Sequence, residues 1–165
     1  MTPALISAAT SADVPVLVSL IRALAEYEKL TSLVVATEAS IHESLFGSSP
    51  AAEAIIARVG HEPVGFALWF HSYSTFLGRR GLYLEDLFVT PAWRSRGIGR
   101  QLLAKVAAVA VARDCGRMEW SVLDWNQPAI RAYRSIGAVP MEEWTMYRLT
   151  GDALRALAAK ASTER

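Results

Sequence analysis

The sequence contains very little cysteine, no excess of either charge and no long apolar run. Cys115 is the single cysteine in 165 residues, so an intrachain disulfide framework is excluded and a reducing compartment is favoured. The formal net charge is +1, which gives no electrostatic signature of nucleic-acid or membrane-surface binding. The most apolar stretch, residues 102–112, is interrupted by Lys105 and is too short to span a bilayer. We therefore expect a cytoplasmic protein that binds neither nucleic acid nor membranes.

Metal-binding and cysteine-nucleophile patterns are also lacking. The three histidines, His42, His61 and His71, are not spaced as metal ligands. Cys115 has no histidine near it in sequence, which argues against a nucleophilic role. We expect no metal site.

The composition is that of a globular domain, with 52% hydrophobic and 20% charged residues. A chain of this length fits one domain, predicted over residues 1–165. Strand and helix patterns alternate, which predicts an α/β fold. Strands are predicted at residues 5–9, 54–59, 64–70, 82–89, 117–123 and 144–149, and helices at 14–28, 37–47, 98–113, 128–137 and 151–160. The polar, glycine-containing residues 74–81 are predicted to form a loop.

The most informative segment follows the strand that ends at Val89. A basic loop carrying Arg94 and Arg96 leads into a helix that opens at Gly97 and Gly99. A helix N-terminus offers unpaired N–H groups and partial positive charge, both of which favour a phosphate. Glycine lets phosphate oxygens approach the backbone, and arginines, including Arg100 in the helix, add charge-assisted contacts. The segment predicts a pyrophosphate site.

Other phosphate-binding motifs fit this loop less well. A P-loop requires lysine and serine or threonine after its second glycine, where this chain has Arg100 and Gln101. A dinucleotide-binding fingerprint requires a third glycine at the position of Leu102. The alternative is a turn whose glycines only cap a helix and whose arginines are solvated. The order of strand, basic loop and helix favours the phosphate site.

These motifs resemble those of a known family. The spacing of Arg94, Gly97 and Gly99 is similar to the acetyl-CoA signature Q/R-x-x-G-x-G/A of the GNAT acetyltransferases. Residues 124–133, with the Gly-Ala pair that follows at 137–138, resemble the second motif of that family. Residues 83–86 and 24–28 resemble its spermidine/spermine (diamine) and thialysine acetyltransferase branch. The resemblance covers nearly the whole chain and implies one GNAT-type domain, with a mixed, mostly antiparallel twisted sheet flanked by helices.

The resemblance implies acetyl-CoA as cosubstrate and assigns residues to three of its parts. The strand backbone would pair with the pantetheine arm, the loop and helix start would bind the pyrophosphate, and the second motif would approach the thioester. The implied pantetheine contacts are Leu87, Phe88 and Val89. The implied pyrophosphate contacts are Arg94, Ser95, Arg96, Gly97, Ile98, Gly99 and Arg100. The residues implied to approach the thioester are Asn126, Ala129 and Tyr133.

The resemblance also implies an acceptor site and a homodimer. Glu85 would face the acceptor amine, and Tyr27, Glu28, Glu142 and Trp144 would complete its pocket. The chain departs from the branch in the loop before the central strand. Residues 73–76 lack the acidic residue and tryptophan expected there, and two arginines at 79–80 add positive charge. These departures leave polyamine specificity open.

The chemistry of acetyl transfer gives two of these residues roles. A tyrosine hydroxyl, with a pKa near ~10, can protonate a thiolate whose thiol pKa is near ~8.5, so Tyr133 is the candidate acid. Packing against the sheet is its alternative role. Glu85 is the candidate base or the electrostatic anchor for the amine. Strand alternation predicts that Asp86 points to the other face, so only one of the two acids would share the site. Asn126 would contact the cofactor, cap a helix, or do both.

The predicted function is acetyl-CoA-dependent N-acetylation by direct transfer to a primary amine of a small molecule, either a diamine or polyamine or a thialysine-like compound. A peptide or protein N-acetyltransferase is the alternative among enzymes. A non-catalytic acyl-CoA-binding sensor is the alternative outside them. An acid-lined pocket around Glu28, Glu85 and Glu142 would favour the small amine, and a shallow open groove would favour the peptide.

Overall fold

The computed structural model describes residues 3–161. The chain divides after Ser121 into two compact units, and the first unit contains all the described strands. The prediction of one domain over residues 1–165 includes terminal residues outside the described range, and it stays a prediction.

The first unit is built on a five-stranded sheet. Its strands are β1 (Leu5–Ala8), β2 (Glu53–Val59), β3 (Glu62–Ser74), β4 (Arg79–Val89) and β5 (Met118–Trp120), and their spatial order follows the chain. The first three pairings are antiparallel, and β5 joins β4 in parallel. The predicted mixed, mostly antiparallel α/β fold is therefore confirmed.

The long β3–β4 hairpin differs from the prediction. Residues 74–81 are not a loop: Ser74 pairs with Arg79 and Tyr73 with Arg80, and the turn occupies only residues 75–78. Gly78 supplies the left-handed backbone for this turn, with φ of 65°. The segment is polar in composition because the end of the hairpin is exposed to solvent, although residues 74 and 79–81 are paired in the sheet.

Two helices pack on one face of the sheet. They are α1 (Val14–Tyr27) and α2 (Glu38–Phe46). A single buried cluster joins the helices to the strands, and its larger members are Leu17, Leu20, Leu45, Ile56, Phe66 and Phe88. Each such side chain stabilises the fold by about 1.5–3 kcal/mol on burial, so α1 is held firmly against the strands that carry the candidate site.

Polar residues fix where α1 and α2 begin. The Thr10 N–H donates to the Asp13 carboxylate at 2.8 Å, in a capping box before α1. The Ser40 N–H donates to Thr37 Oγ1 at 3.1 Å at the start of α2. Both helices therefore start where the sequence places their caps.

A third helix, α3 (Ile98–Ala112), packs against β3 and β4. Its buried residues recur at helical spacing and include Ile98, Leu102 and Val106. This packing fixes the N-terminus of α3 beside the end of β4.

The second unit contains α4 (Gln127–Ser135) and α5 (Gly151–Lys160). Pro128 lies in the first turn of α4, as predicted. The predicted strand at residues 144–149 is wrong, because no strand forms there and every one of its residues is exposed. The predicted strand at 117–123 is shortened to β5. Aromatic and branched side chains favour a strand, but a strand also needs a neighbour with which to pair.

Candidate active site

The central feature of the site is an open edge of β4. On one side β4 pairs with β3 as far as Val89, which lies opposite Gly65. On the other side the pairing with β5 ends at Leu84. Residues 85–89, the β4 overhang, therefore present one edge of backbone N–H and C=O groups without a strand partner in the described sheet. The predicted pantetheine contacts of residues 87–89 fall on this edge.

A β-bulge marks the start of the overhang. Leu68 lies opposite Asp86 and Trp69 lies opposite Leu84, so Glu85 is an extra residue in β4. A bulge interrupts the strict alternation of side chains along a strand. Glu85 is exposed and Asp86 is half-buried. Their assignment to opposite faces, which rested on strict alternation, stays a prediction.

Asp86 is the most perturbed acid of the described residues. Burial, followed by the negative charges of Glu85 and then Glu28, raises its pKa to about 6. Burial also raises the pKa of Glu28. Glu28, Glu85 and Asp86 are thus close enough to repel one another, and they form what we call the carboxylate cluster. Sequence reasoning missed Asp86 as a site residue, because the bulge depends on the register with β3.

The end of α1 places Glu28 in this cluster. Lys29 adopts a left-handed conformation, with φ of 61°. The Leu30 N–H then donates to the Ala25 carbonyl at 2.8 Å, and the Lys29 N–H donates to the Glu26 carbonyl at 3.1 Å. This hydrogen-bond pair is the Schellman motif, which ends a helix at a fixed residue. Tyr27, the last residue of α1, and Glu28 after it are held by that ending.

Arg94 points toward α1. Its Nε–H donates to the Val89 carbonyl at 2.9 Å. Its guanidinium carbon lies 4.0 Å from the centre of the Tyr27 ring and 5.6 Å from that of Phe88. The structure therefore joins predicted cofactor residues (Arg94, Val89, Phe88) to a predicted acceptor-site residue (Tyr27).

Arg96 and Arg100 have different surroundings. The Arg96 guanidinium carbon lies 4.7 Å from the centre of the Trp93 ring, and Trp93 Nε1 donates to Glu62 at 3.0 Å. Arg100 is exposed on the first turn of α3. Of the three arginines in the motif, Arg100 is the one placed on the helix whose N-terminus favours anions.

The cofactor loop, residues 90–97, ends in two left-handed positions. They are Ser95, with φ of 60°, and Gly97, with φ of 79°. The first intrahelical bond of α3 runs from the Gln101 N–H to the Gly97 carbonyl at 3.0 Å. The N–H groups of residues 98–100 therefore have no acceptor within the helix. Left-handed turns that lead into a helix N-terminus form a concave set of donors suited to phosphate.

A cavity of about 240 Å³ lies beside the first turn of α3. Its lining includes Trp93, Arg96, Ile98 and Gln101. None of the three acids of the carboxylate cluster lines it. The cavity and the cluster are therefore separate features of the first unit.

The remaining predicted residues belong to the second unit. The Asn126 side chain accepts from the Ala129 N–H at 3.4 Å, so Asn126 caps α4 as one reading of the sequence anticipated. Tyr133 is half-buried on α4. Glu142 and Trp144 are exposed in the segment between α4 and α5. Their roles toward cofactor or amine stay predictions.

Within residues 3–161, none of the helices is long and apolar enough to cross a membrane. No group of three or more His, Cys, Asp or Glu side chains within that range is arranged to hold a metal ion.

Comparison with known proteins identifies a family with this architecture. The sequence model of the acetyltransferase (GNAT) family matches residues 20–138. The thialysine N-epsilon-acetyltransferase of Bos taurus is 38% identical, over 94% of this chain and 98% of that protein. The L-ornithine N5-acetyltransferase of Arabidopsis thaliana is 34% identical, over 90% of this chain and 85% of that protein. An integron cassette protein from the mobile metagenome of V. cholerae superposes with a TM-score of 0.79 at 27% identity, covering 96% of this chain and 98% of that one.

Proposed function

Because the chain belongs to the GNAT acetyltransferase family and is an acyltransferase, we propose that it transfers an acetyl group from acetyl-CoA to a primary amine of a small cationic molecule. The acceptor class comprises diamines, polyamines and thialysine-like amino acids. The transfer is direct, from the thioester to the amine.

The carboxylate cluster is the observation that carries this proposal. Burial, together with repulsion from the negative charges of Glu85 and Glu28, raises the pKa of Asp86 to about 6. A bound alkylammonium group would relieve that repulsion, and its charge would lower the pKa of Asp86 again. A short cationic molecule fits such a cluster, whereas a neutral peptide backbone gains nothing from it.

The same cluster supports a proton acceptor for the reaction. The amine must lose its proton before it attacks, and a base whose pKa is close to the working pH accepts that proton best. In the free protein the pKa of Asp86 is about 6, closer to the working pH than that of an ordinary carboxylate, and it rises back toward that value as the amine loses its charge. We assign Glu28 and Glu85 to anchoring the cation and Asp86, directly or through water, to accepting the proton.

The cosubstrate fits the backbone groups of the first unit. The open edge of the β4 overhang offers N–H and C=O groups to the pantetheine amides, and the N–H groups of residues 98–100 suit the pyrophosphate. Acetyl-CoA supplies the acetyl group as a thioester. Arg100 adds positive charge on the first turn of α3.

Residues of the second motif complete the proposed machinery. The Tyr133 hydroxyl protonates the leaving thiolate, since the ordinary pKa of tyrosine near ~10 exceeds that of a thiol near ~8.5. Asn126 and Ala129 approach the thioester, while Glu142 and Trp144 extend the acceptor pocket. These roles rest on the motif at residues 124–133.

We also propose that the protein is a cytoplasmic homodimer. The segment between α4 and α5 supports self-association, because the side chains of Val139, Trp144 and Tyr147 are 76%, 74% and 91% exposed. Exposed apolar side chains grouped in one segment are typical of a protein–protein contact. Light scattering coupled to gel filtration would distinguish a dimer from a monomer.

The experiment that tests the function follows acetyl-CoA-dependent release of free thiol with the wild-type protein and Tyr133→Phe. The acceptors are polyamines, ornithine, lysine, thialysine, aminoglycosides and short peptides. We expect turnover on one class of small amine and a loss of at least about 100-fold in kcat for Tyr133→Phe, the usual contribution of a general acid. Acetyl-CoA affinity, measured by calorimetry, should be unchanged in the variant.

Two outcomes would overturn the proposal. Turnover confined to peptides would establish a peptide or protein acetyltransferase. No turnover on any of the acceptors, with acetyl-CoA still bound, would favour the acyl-CoA sensor instead. Glu85→Gln separates the first outcome further, since removing a carboxylate should raise the KM of a dicationic amine more than that of a peptide whose only cation is its α-amino group.

A further inference from the structure

We propose that Arg94 is a positioning residue that couples the cofactor loop to the carboxylate cluster, rather than a ligand of the cofactor phosphates. The inference rests on the proposed function, which gives the loop and the cluster their two substrates. It assigns the arginine of the motif a role in amine binding that its place in the sequence does not reveal.

Three contacts hold the Arg94 side chain. The Nε–H donates to the Val89 carbonyl at 2.9 Å, which ties the residue back to the end of β4. The guanidinium carbon lies 4.0 Å from the centre of the Tyr27 ring and 5.6 Å from that of Phe88. A cation this close to an aromatic ring is attracted by the negative face of the ring. The side chain is half-buried, which strengthens that attraction relative to a fully solvated pair.

The position of Tyr27 gives the contact its consequence. Tyr27 is the last residue of α1, and Glu28 directly follows it. The negative charge of Glu28 in turn raises the pKa of Asp86. A shift of the cofactor loop that moves Arg94 therefore acts on the helix end that carries one of the three carboxylates. Binding in the loop and binding at the cluster become linked through a single side chain.

Arg96 provides a matched comparison within the same loop. Its guanidinium carbon lies over the Trp93 ring at 4.7 Å, and Trp93 is itself a loop residue. Arg96 thus makes the same kind of contact as Arg94 without reaching α1. Comparing substitutions of the two arginines therefore distinguishes the effect of removing a positive charge from the loop from the effect of breaking the contact with α1.

The test is a double-mutant cycle of Arg94→Gln and Tyr27→Leu. Each single variant should raise the KM of the acceptor amine about three- to tenfold and leave kcat within about twofold, because the amine site is displaced and the chemistry is not. The double variant should be no worse than the more impaired single variant, which gives a coupling of about three- to tenfold, the size of a partly buried cation–π contact. Arg94→Lys and Tyr27→Phe, which keep the charge and the ring, should retain most of the coupling.

The second cycle pairs Arg96→Gln with Tyr27→Leu. The fold-changes that the two single variants cause in the KM of the amine should multiply in the double variant. The proposal fails if Arg94→Gln weakens acetyl-CoA binding tenfold or more, leaves the amine KM unchanged and multiplies with Tyr27→Leu. That pattern would make Arg94 a phosphate ligand.

The same cycles in urea unfolding separate this proposal from the proposed function. The Arg94–Tyr27 contact exists before any substrate binds, so its coupling should also appear in the unfolding equilibria of the four proteins. Absence of turnover on every amine, with that coupling intact, would overturn the proposed function alone. If the effects of Arg94→Gln and Tyr27→Leu on the unfolding equilibrium constant simply multiply in the double variant, the role of Arg94 is overturned, whether or not the protein is active.

Discussion

The cofactor loop and the carboxylate cluster lie at the two ends of the β4 overhang, yet they are built in opposite ways. The loop presents backbone N–H groups, arranged by left-handed positions at Ser95 and Gly97. The cluster presents side-chain charges, collected from the end of α1 and from a bulge in β4. A backbone site depends on local conformation, and a side-chain site depends on how distant segments pack. Different substitutions should therefore damage each site.

Of the substitutions at these two sites, one in the cofactor loop should have the largest effect. Gly97→Val should weaken acetyl-CoA binding at least about tenfold, because a β-branched residue resists a φ of 79° and would move the N–H groups of residues 98–100. The cause is conformational rather than steric, since an added Cβ would meet nothing closer than the Gln101 side chain at 3.9 Å. Left-handed backbone costs a side-chain-bearing residue about 1–2 kcal/mol.

Gly78→Val is the matched control for this substitution. Gly78 has a φ of 65° with no atom within 4 Å of an added Cβ, and it lies in the turn of the β3–β4 hairpin. Its variant should lose stability and keep its acetyl-CoA affinity in calorimetry. Equal losses of affinity in both variants would contradict the assignment of the loop.

The next effect concerns the charge in the cluster. Asp86 has a folded-state pKa of about 6, against an ordinary value of 3.8. Between these values the folded protein binds more protons than the unfolded chain, so the stability that Asp86 contributes falls as the pH rises through this window. Asp86→Asn should therefore increase the free energy of unfolding at pH 8 by about 1–3 kcal/mol and change it little at pH 4. Urea unfolding at the two pH values would measure the difference.

This substitution also separates stability from function. The neutral amide removes the repulsion that destabilises the free protein, and it removes the group that a cationic amine would neutralise. In Asp86→Asn the kcat for the amine should fall and its KM should rise, while the protein becomes more stable at pH 8. A variant that is less stable at pH 8 than the wild type would show that the cluster carries no unfavourable charge.

The smallest effect concerns the backbone that holds the cluster. Lys29 has a φ of 61° at the end of α1, a position that glycine occupies without strain. Lys29→Gly should stabilise the protein by about 0.5–1 kcal/mol and leave acetyl-CoA affinity unchanged. Lys29→Ala, which removes the side chain and keeps the strain, is the control for thermal unfolding. A stabilisation as large in Lys29→Ala would assign the effect to the lysine charge.

The same contrast explains what the sequence could predict. The helix positions and the glycine-containing loop follow from local signals, which predicted the α/β class, whereas the mixed sheet was implied by the resemblance to the family. Gly97 and Gly99 were informative because their spacing carries conformational meaning by itself. Sequence could place the residues of the loop in the same way, although their contacts with acetyl-CoA stay predictions.

Features that depend on pairing between distant segments were not predicted. Residues 144–149 have strand-like composition but form no strand, and residues 74–81 have loop-like composition but pair as a ribbon. The bulge at Glu85 was not predicted, because it exists only in register with β3. The Arg94–Tyr27 contact likewise joins residues whose proximity no local pattern encodes. The assignments of Tyr133, Glu142 and Trp144 stay predictions.

The β4 overhang has a consequence for solubility as well. An exposed strand edge invites pairing with another copy of the protein, and folded proteins discourage this with bulges and with charged residues at the edge. This overhang begins with both, since Glu85 is the bulged residue and Asp86 is the acid beside it. The residues proposed to attract a cationic amine thereby also guard the edge against aggregation. Neutral substitutions at both positions would expose a strand edge that only a bound ligand could then cover.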